Sequence, residues 1–317
     1  TIGVRSEQAA MAAKAATVEA AAASGGGEAA AEAEEELVVD AWEFTPEVDL
    51  VAAVAKSDFD TESNEVKWNL KKKALDDLLA MCGNPPKLKV DTDLLELCSK
   101  LKPLILHSHQ QVSTTALRCM ARIGKGLRGK FNQCCHDTVQ FKIMCSRLKD
   151  KKLVPVIAEC LDELFQSEAI TLERVAESLP GLLDLKKAPT AHARAAVLSW
   201  LSRCVSTKPT AVSGPMRTQL GDLAKVALDD SDPKMREAGD ELMTELCRLA
   251  SKAAASSKER RAMSVMIDKV RENKAHGKRT ADRLSAILDG NEANAAPAAH
   301  ALKSSRVDSA ASGSAAA

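Results

Sequence analysis

Apolar residues recur at spacings of three and four positions along most of the chain between residues 66 and 288. This spacing is typical of helices that bury one face. It predicts eleven helices, at residues 66–81, 93–106, 112–127, 139–148, 154–165, 172–185, 191–205, 216–228, 235–249, 263–270 and 281–288. Short polar turns separate them. In one turn, residues 229–233 read DDSDP, where Asp or Ser caps a helix and Pro233 enters its first turn.

The predicted helices group in pairs. Markers near the start of the first helix of each pair follow one another at intervals of 44, 40, 40 and 43 residues, at Trp68, Val112, Lys152, His192 and Met235. Helix pairs that repeat every ~40–47 residues are typical of HEAT and armadillo arrays. The sequence therefore predicts an all-α HEAT-repeat solenoid of about six helix pairs, with a helical bundle of another topology as the alternative.

Composition supports the helical prediction and adds a charge pattern. The chain has 317 residues, of which 3% are aromatic, with no Tyr, whereas strands favour aromatic and β-branched residues. The net charge is zero, yet residues 65–152 carry 18 basic and 8 acidic side chains. This basic block favours a partner with an acidic surface.

No constellation of residues predicts catalysis, a cofactor or a metal. The three residues Gly124-Lys125-Gly126 lie in a helical pattern and lack the strand that precedes a phosphate-binding loop. The segment 134–136, CCH, together with Cys145 matches no standard zinc spacing. All nine cysteines are interpreted as reduced, since most lie in apolar helical stretches. We expect a protein that is not an enzyme and that works in the cytoplasm.

The two ends differ from the middle. Residues 1–39 are rich in Ala, Gly and Glu, and residues 291–317 are mostly Ala, Ser and Asn. Such segments bury too little apolar surface to fold, so both are predicted to be disordered, around a folded domain at 40–290. No apolar run is long enough to cross a bilayer, and the start at Thr1 suggests a piece of a longer protein.

Function in a solenoid lies on the loops of one edge. Four of the five predicted loops at the pair starts present Lys or Arg, and the first adds Trp68. A cation at a helix N-terminus opposes the helix dipole. Its repetition suggests an acidic partner, although a solvated face explains the pattern equally well. Trp68 itself could be a core residue, but its basic neighbours and its place at a loop favour a contact role. Trp200, in mid-helix, is interpreted as core.

Several segments resemble the TOG domains of the minispindles/ch-TOG microtubule polymerases, and the second of these domains most closely. The most specific match is LRCMARIGKGLRGKF at residues 117–131. Others are KWNLKKKAL at 67–75, PKL at 86–88, LKDKK at 148–152, LDELF at 161–165 and DSDPKMREA at 230–238. The resemblance spans roughly residues 40–290 and is strong over 66–165.

The resemblance implies a flat paddle that binds αβ-tubulin through its intra-repeat loops. It also implies a regulator of microtubule growth with tandem TOG domains, located at microtubules, the spindle or the centrosome. By position, Trp68 matches the family's first-loop Trp and Arg236 its fifth-loop Arg, while Lys149, Lys151 and Lys152 fall in the third loop. The loop pattern adds Lys67 and Lys234. With the departing positions and their substitutes, the expected tubulin-contacting residues are Trp68, Lys67, Gln110, Val112, Lys149, Lys151, Lys152, Lys187, His192, Arg194, Lys234 and Arg236.

Two positions depart from the family pattern. Gln110 stands where the family has an apolar residue, and His192 where it has Lys. Val112, Lys187 and Arg194 are their expected substitutes.

Two other functions remain as alternatives to tubulin binding. The first is a HEAT scaffold that binds a different acidic protein through its helix faces. The second, nucleic-acid binding, is disfavoured, because the chain lacks a concentrated basic stripe with base-reading residues.

Overall fold

The computed structural model describes residues 42–184, 190–272 and 277–291. The chain divides into two units, Thr1–Glu43 and Phe44–Ala317, and every helix given below belongs to the second. The expected linker at 1–39 and nearly all of the expected tail at 291–317 lie outside the described residues. Those domain boundaries therefore stay predictions.

The second unit is built from helices, which confirms the all-α prediction. The one β element among the described residues is an isolated parallel bridge between Val48 and Leu88. The α-helices are α1 (Leu50–Ala55), α2 (Phe59–Asn64), α3 (Trp68–Met81), α4 (Leu94–Ile105), α5 (Gln110–Leu127), α6 (Phe131–Cys135), α7 (Asp137–Cys145), α8 (Val154–Gln166), α9 (Leu172–Val175), α10 (Leu179–Leu183), α11 (Ala191–Thr207), α12 (Gly214–Leu228), α13 (Pro233–Ser251), α14 (Lys258–Arg271) and α15 (Gly277–Leu288). Three 3-10 turns lie at Arg128–Lys130, Ala176–Ser178 and Pro209–Ala211.

These helices form six pairs, as the repeat spacing predicts. The pairs are α1–α2 with α3, α4 with α5, α7 with α8, α9–α10 with α11, α12 with α13, and α14 with α15. The second helices pack side by side in the order α3, α5, α8, α11, α13 and α15. The apolar faces that a single pair would leave exposed are thereby buried between neighbours.

The observed pairing is offset from the predicted one. The five markers lie at the start of the second helix in the first five pairs, because α1 and α2 precede Trp68 and complete the first pair. The sequence missed these two helices because each has only six residues, too few to show a helical period. The predicted helix 172–185 is instead broken into α9, a 3-10 turn and α10, with Pro180 in the first turn of α10.

The core runs through all six pairs and consists mainly of Leu, Ile, Val and Met side chains, with all nine cysteines also buried. Trp200 is 1% exposed and lies against Phe141 and Phe165, with ring centroids 5.3 and 6.4 Å away, as predicted for a core residue. None of the helices in the described ranges is both long enough and apolar enough to cross a bilayer.

Candidate protein-binding edge

The turn inside each helix pair leads into the N-terminus of that pair's second helix. We number the turns of the first five pairs loop 1 (residues 65–67), loop 2 (106–109), loop 3 (146–153), loop 4 (184–190, of which 185–189 lie outside the described residues) and loop 5 (229–232). Because the second helices pack side by side in one row, the described residues of these turns line one edge of the domain, here called the loop edge.

Side-chain contacts join neighbouring elements along this edge. The Trp68 indole, at the end of loop 1, stacks on the His109 ring of loop 2, with centroids 4.1 Å apart and planes 12° apart. Arg147, in loop 3, donates to the carbonyls of Leu106 and His107 in loop 2, at 3.4 and 3.3 Å. Arg194, in the first turn of α11, pairs with Asp230 of loop 5 at 3.1 Å. Loops 1, 2 and 3 are therefore joined in series, and α11 is joined to loop 5.

Apolar side chains are exposed at the first two loops. Trp68 is 43% exposed, Val66 is 93% exposed and Leu106 is 43% exposed. The predicted helices 66–81 and 93–106 included Val66 and Leu106 as end residues, whereas the structure places both just outside the helices. The loop edge thus offers more apolar surface than Trp68 alone.

Lysines are exposed at loops 1, 3 and 5. Lys67, Lys149, Lys151, Lys152 and Lys234 are all exposed. In the described part of the chain, none of their side chains makes an ion pair. In addition, α3, α5 and α8 begin without a side-chain cap. Their first backbone N–H groups and the lysines make this edge electropositive.

One acidic residue of loop 3 and one of loop 5 are already engaged within the protein. The Asp150 carboxylate accepts from the backbone N–H of Lys152 at 3.1 Å and lies 3.7 Å from Arg147. Asp232 caps α13 by accepting from the backbone N–H of Lys234 at 2.8 Å, as the sequence predicts for this turn. These contacts leave the lysines to dominate the exposed charge.

The surroundings of two histidines on this edge lower their pKa values. Burial lowers the pKa of His192, and Lys234 and Lys151 lower it further. Burial likewise lowers the pKa of His107, with smaller contributions from Lys71 and His109. A neutral ring is what His107 needs, since its Nδ1 accepts from the His109 backbone N–H at 2.9 Å.

Most of the predicted contact residues lie at this edge, but two of them are buried. Gln110 is exposed, while His192 and Arg236 are half-buried. Val112 is completely buried, because it faces the core from the first turn of α5, so its expected role as a contact residue is wrong. Arg194 is 6% exposed and committed to Asp230, so it too is a structural residue. Lys187 lies outside the described residues.

Sequence reasoning missed His109 and Arg147, which contact neighbouring loops. Neither carries a signal in the linear pattern, because a stacked ring and a buried guanidinium depend on which loops become neighbours. No group of three or more metal-ligating side chains is found among residues that the structure describes.

The folded unit is similar to known proteins in sequence and in structure, although no protein-family model matches it. The chain is 25% identical over 213 residues to protein MOR1 of Oryza sativa subsp. japonica. It is 26% identical over 214 residues to protein mini spindles of Drosophila melanogaster. Each match covers 67% of this chain and only 10% of the relative, so the chain spans about a tenth of these proteins.

Solved structures show the same fold. A chain from work on microtubule plus-end tracking by XMAP215, CLIP-170 and EB1 matches with a TM-score of 0.61 and 21% identity, covering 75% of this chain and 92% of that one. The MAST/Orbit N-terminal domain matches with a TM-score of 0.56 and 17% identity, covering 73% and 95%. A chain from the TOG domain array of Crescerin matches with a TM-score of 0.52 and 18% identity, covering 79% and 91%.

The folded unit has the fold of these domains, and its sequence is similar to microtubule-associated proteins of the minispindles type. The matched share of the chain, about two-thirds to three-quarters, agrees with a single unit of the TOG type built from the six helix pairs. Its resemblance to the second TOG domain in particular stays a prediction.

Proposed function

We propose that this unit is a TOG domain and binds αβ-tubulin through the loop edge, within a longer protein that regulates microtubule growth. The observation that carries the proposal is Trp68, 43% exposed beside the exposed Val66 and Lys67. Solved chains with this fold come from work on microtubule plus-end tracking and on a TOG array that regulates microtubules in the primary cilium. The proposed location is the cytoplasm, at microtubules of the spindle or centrosome.

Trp68 has the size and exposure of an interface anchor. A Trp side chain offers up to about 250 Å² of contact surface, so an exposure of 43% leaves about 100 Å² for a partner to cover. At about 25 cal/mol per Å², its burial contributes about 2.5 kcal/mol. That magnitude falls in the range of interface hot spots, which Trp residues often provide.

The unpaired lysines supply long-range attraction to an acidic partner. Lys149, Lys151 and Lys152 stand together on loop 3, and Lys234 follows at the start of α13. Exposed charges of this kind raise the association rate more than the final affinity, and salt screens them. The proposed mechanism is capture of a tubulin dimer without catalysis. Further TOG domains in the longer protein would raise the local tubulin concentration.

The test is gel filtration of the 317-residue chain with purified αβ-tubulin at two salt concentrations. The substitution Trp68→Glu is expected to abolish co-elution while the circular dichroism spectrum stays unchanged. Val265→Glu is the matched control, because Val265 is 56% exposed on α14 and away from the loops. Reversal of Lys149, Lys151 and Lys152 to Glu should weaken binding, most of all at low salt. Normal co-elution of the Trp68→Glu variant would refute the proposal.

A further inference from the structure

One face of the Trp68 ring is covered by another side chain of the loop edge. The His109 imidazole lies nearly parallel to the indole, at a centroid distance of 4.1 Å and an angle of 12°. His109 is half-buried and precedes α5 directly. Stacking of this kind restricts rotation of the indole, while 43% of the residue stays exposed.

Loop 2, which carries His109, is itself held from both sides. Inside the loop, the His109 backbone N–H donates to Nδ1 of His107 at 2.9 Å. From loop 3, Arg147 donates through its two terminal nitrogens to the carbonyls of Leu106 and His107. The Arg147 side chain is only 12% exposed, and its bond to His107 is partly buried, where a hydrogen bond competes less with water.

Loop 1 is fixed in a similar way. The Lys71 ammonium, one turn into α3, donates to the carbonyl of Ser63 near the end of α2 at 2.7 Å. This contact closes the turn that precedes Trp68. Both partners in the stack therefore come from loops whose backbones are tied to a neighbouring element.

We propose that His109 and Arg147 are positioning residues, which hold Trp68 in the orientation that a partner binds. In this arrangement loops 1, 2 and 3 form one binding unit, in which Arg147 fixes loop 2 and His109 fixes the indole. The inference rests on the proposed tubulin-binding function. An anchor that is ordered before binding loses less side-chain entropy when the complex forms. Loss of either positioning residue is therefore expected to weaken tubulin binding by about three- to tenfold, although neither residue needs to touch tubulin.

The first measurement needs no partner. Collisional quenching by acrylamide is measured on the full 317-residue chain, and the signal of the Trp68→Phe variant is subtracted to isolate Trp68. His109→Ala should increase quenching, because it uncovers the second face of the indole. Arg147→Met should also increase it, to a smaller extent. His109→Phe, which restores a flat ring, should match the wild type.

The matched control for Arg147 is Arg122→Met. Arg122 makes one inter-loop hydrogen bond, to the Asn84 side chain at 3.3 Å, in the second half of α5 and therefore away from the loop edge. It should change neither the quenching of Trp68 nor the binding of tubulin. Circular dichroism identifies any variant that fails to fold, and for such a variant His109→Gln, which also lacks the ring, or Arg147→Lys takes the place of the larger change.

The second measurement is tubulin affinity of the same variants. Increased quenching together with weaker binding in His109→Ala and Arg147→Met, restored by His109→Phe, would support the inference. Wild-type affinity in both variants, when Trp68→Glu has lost binding, would overturn the positioning role and leave the proposed function intact. Wild-type affinity of Trp68→Glu would overturn the proposed function, and the positioning role with it.

Discussion

Arg194 and Asp230 offer the sharpest test of the structure, because the sequence alone assigned Arg194 to the contact surface. The two side chains are only 7% and 9% exposed, and Nη2 of Arg194 lies 3.1 Å from the Asp230 carboxylate. The pair joins the start of α11 to loop 5. In the substitution Arg194→Met, a side chain of similar length remains but the charge is lost, and Asp230 stays buried without its partner.

The expected loss of stability follows from that burial. Removal of one member of a buried ion pair costs about 3–5 kcal/mol, because the other charge is left uncompensated. Asp230 keeps one hydrogen bond, from the backbone N–H of Asp232 at 2.8 Å, and its loop is near the surface. We therefore expect Arg194→Met to lower the free energy of unfolding by about 3 kcal/mol, the lower end of that range. For a unit of this size, that loss lowers the melting temperature by about 6–12 °C.

The assay is urea and thermal unfolding followed by circular dichroism at 222 nm. Arg236→Met is the control, since Arg236 donates only to the backbone carbonyls of Asp230 and Ser231 in the same loop and its loss should cost about 1 kcal/mol. Adding Asp230→Asn to Arg194→Met should recover much of the lost stability, because the buried charge is removed. An unchanged melting temperature in Arg194→Met, combined with lost tubulin binding, would refute the structural role and restore the contact role.

Three further predictions test the packing, the titration and the thiols of the domain. Gly239→Ala should lower the free energy of unfolding of the domain by about 1–2 kcal/mol, because a Cβ there would lie 2.9 Å from the Ala224 carbonyl oxygen and 2.8 Å from Ala227 Cβ. The control is Gly214→Ala, which has open space around the new methyl group and should have a urea midpoint equal to the wild-type value or higher. His192 has a pKa lowered from 6.5, so the folded state binds fewer protons than the unfolded state, and stability falls as the pH drops below about 6.5. In urea titrations at several pH values, the His192→Gln variant should lose less stability than the wild type over that range. Equal losses in the two proteins would contradict the reasoning. Burial raises the pKa of Cys82 and Cys160 to about 12, and all nine thiols are buried; a thiol reagent at pH 8 should therefore label none in the native protein and all nine in urea, and rapid native labelling would contradict the burial.

The repeat period could be predicted from the sequence, whereas the pairing could not. The spacing of about 40 residues between markers is the same whichever helix is taken as the first of a pair. The choice itself depends on α1 and α2, which are too short to show a period and are identified as helices by their packing against α3. A helical period therefore gives the number of repeats, and the contacts of the first short helices decide which turns lie inside a pair.

The chemistry of the loops was predictable where it depends on exposure alone. Lys149, Lys151 and Lys152 lie in a polar turn, and such residues stay exposed in almost any packing of the helices. Val112 and Arg194 each lie within one turn of a helix N-terminus, where a shift of one position moves a side chain from the surface to the core. The sequence fixes the position of these residues but not the helix face on which they lie, so their burial appears only in the structure.

The zero net charge of the chain is compatible with an electropositive loop edge because the two signs are used differently. Acidic residues of the loops cap a helix, as Asp232 does, or pair with buried arginines, as Asp230 does. A short carboxylate reaches the backbone N–H groups of its own turn, whereas a lysine ammonium on its long stem extends beyond them. The same loop sequence can therefore contain equal numbers of both signs and still present lysines to a partner. This difference in reach, more than the total charge, makes the loop edge suited to an acidic protein surface.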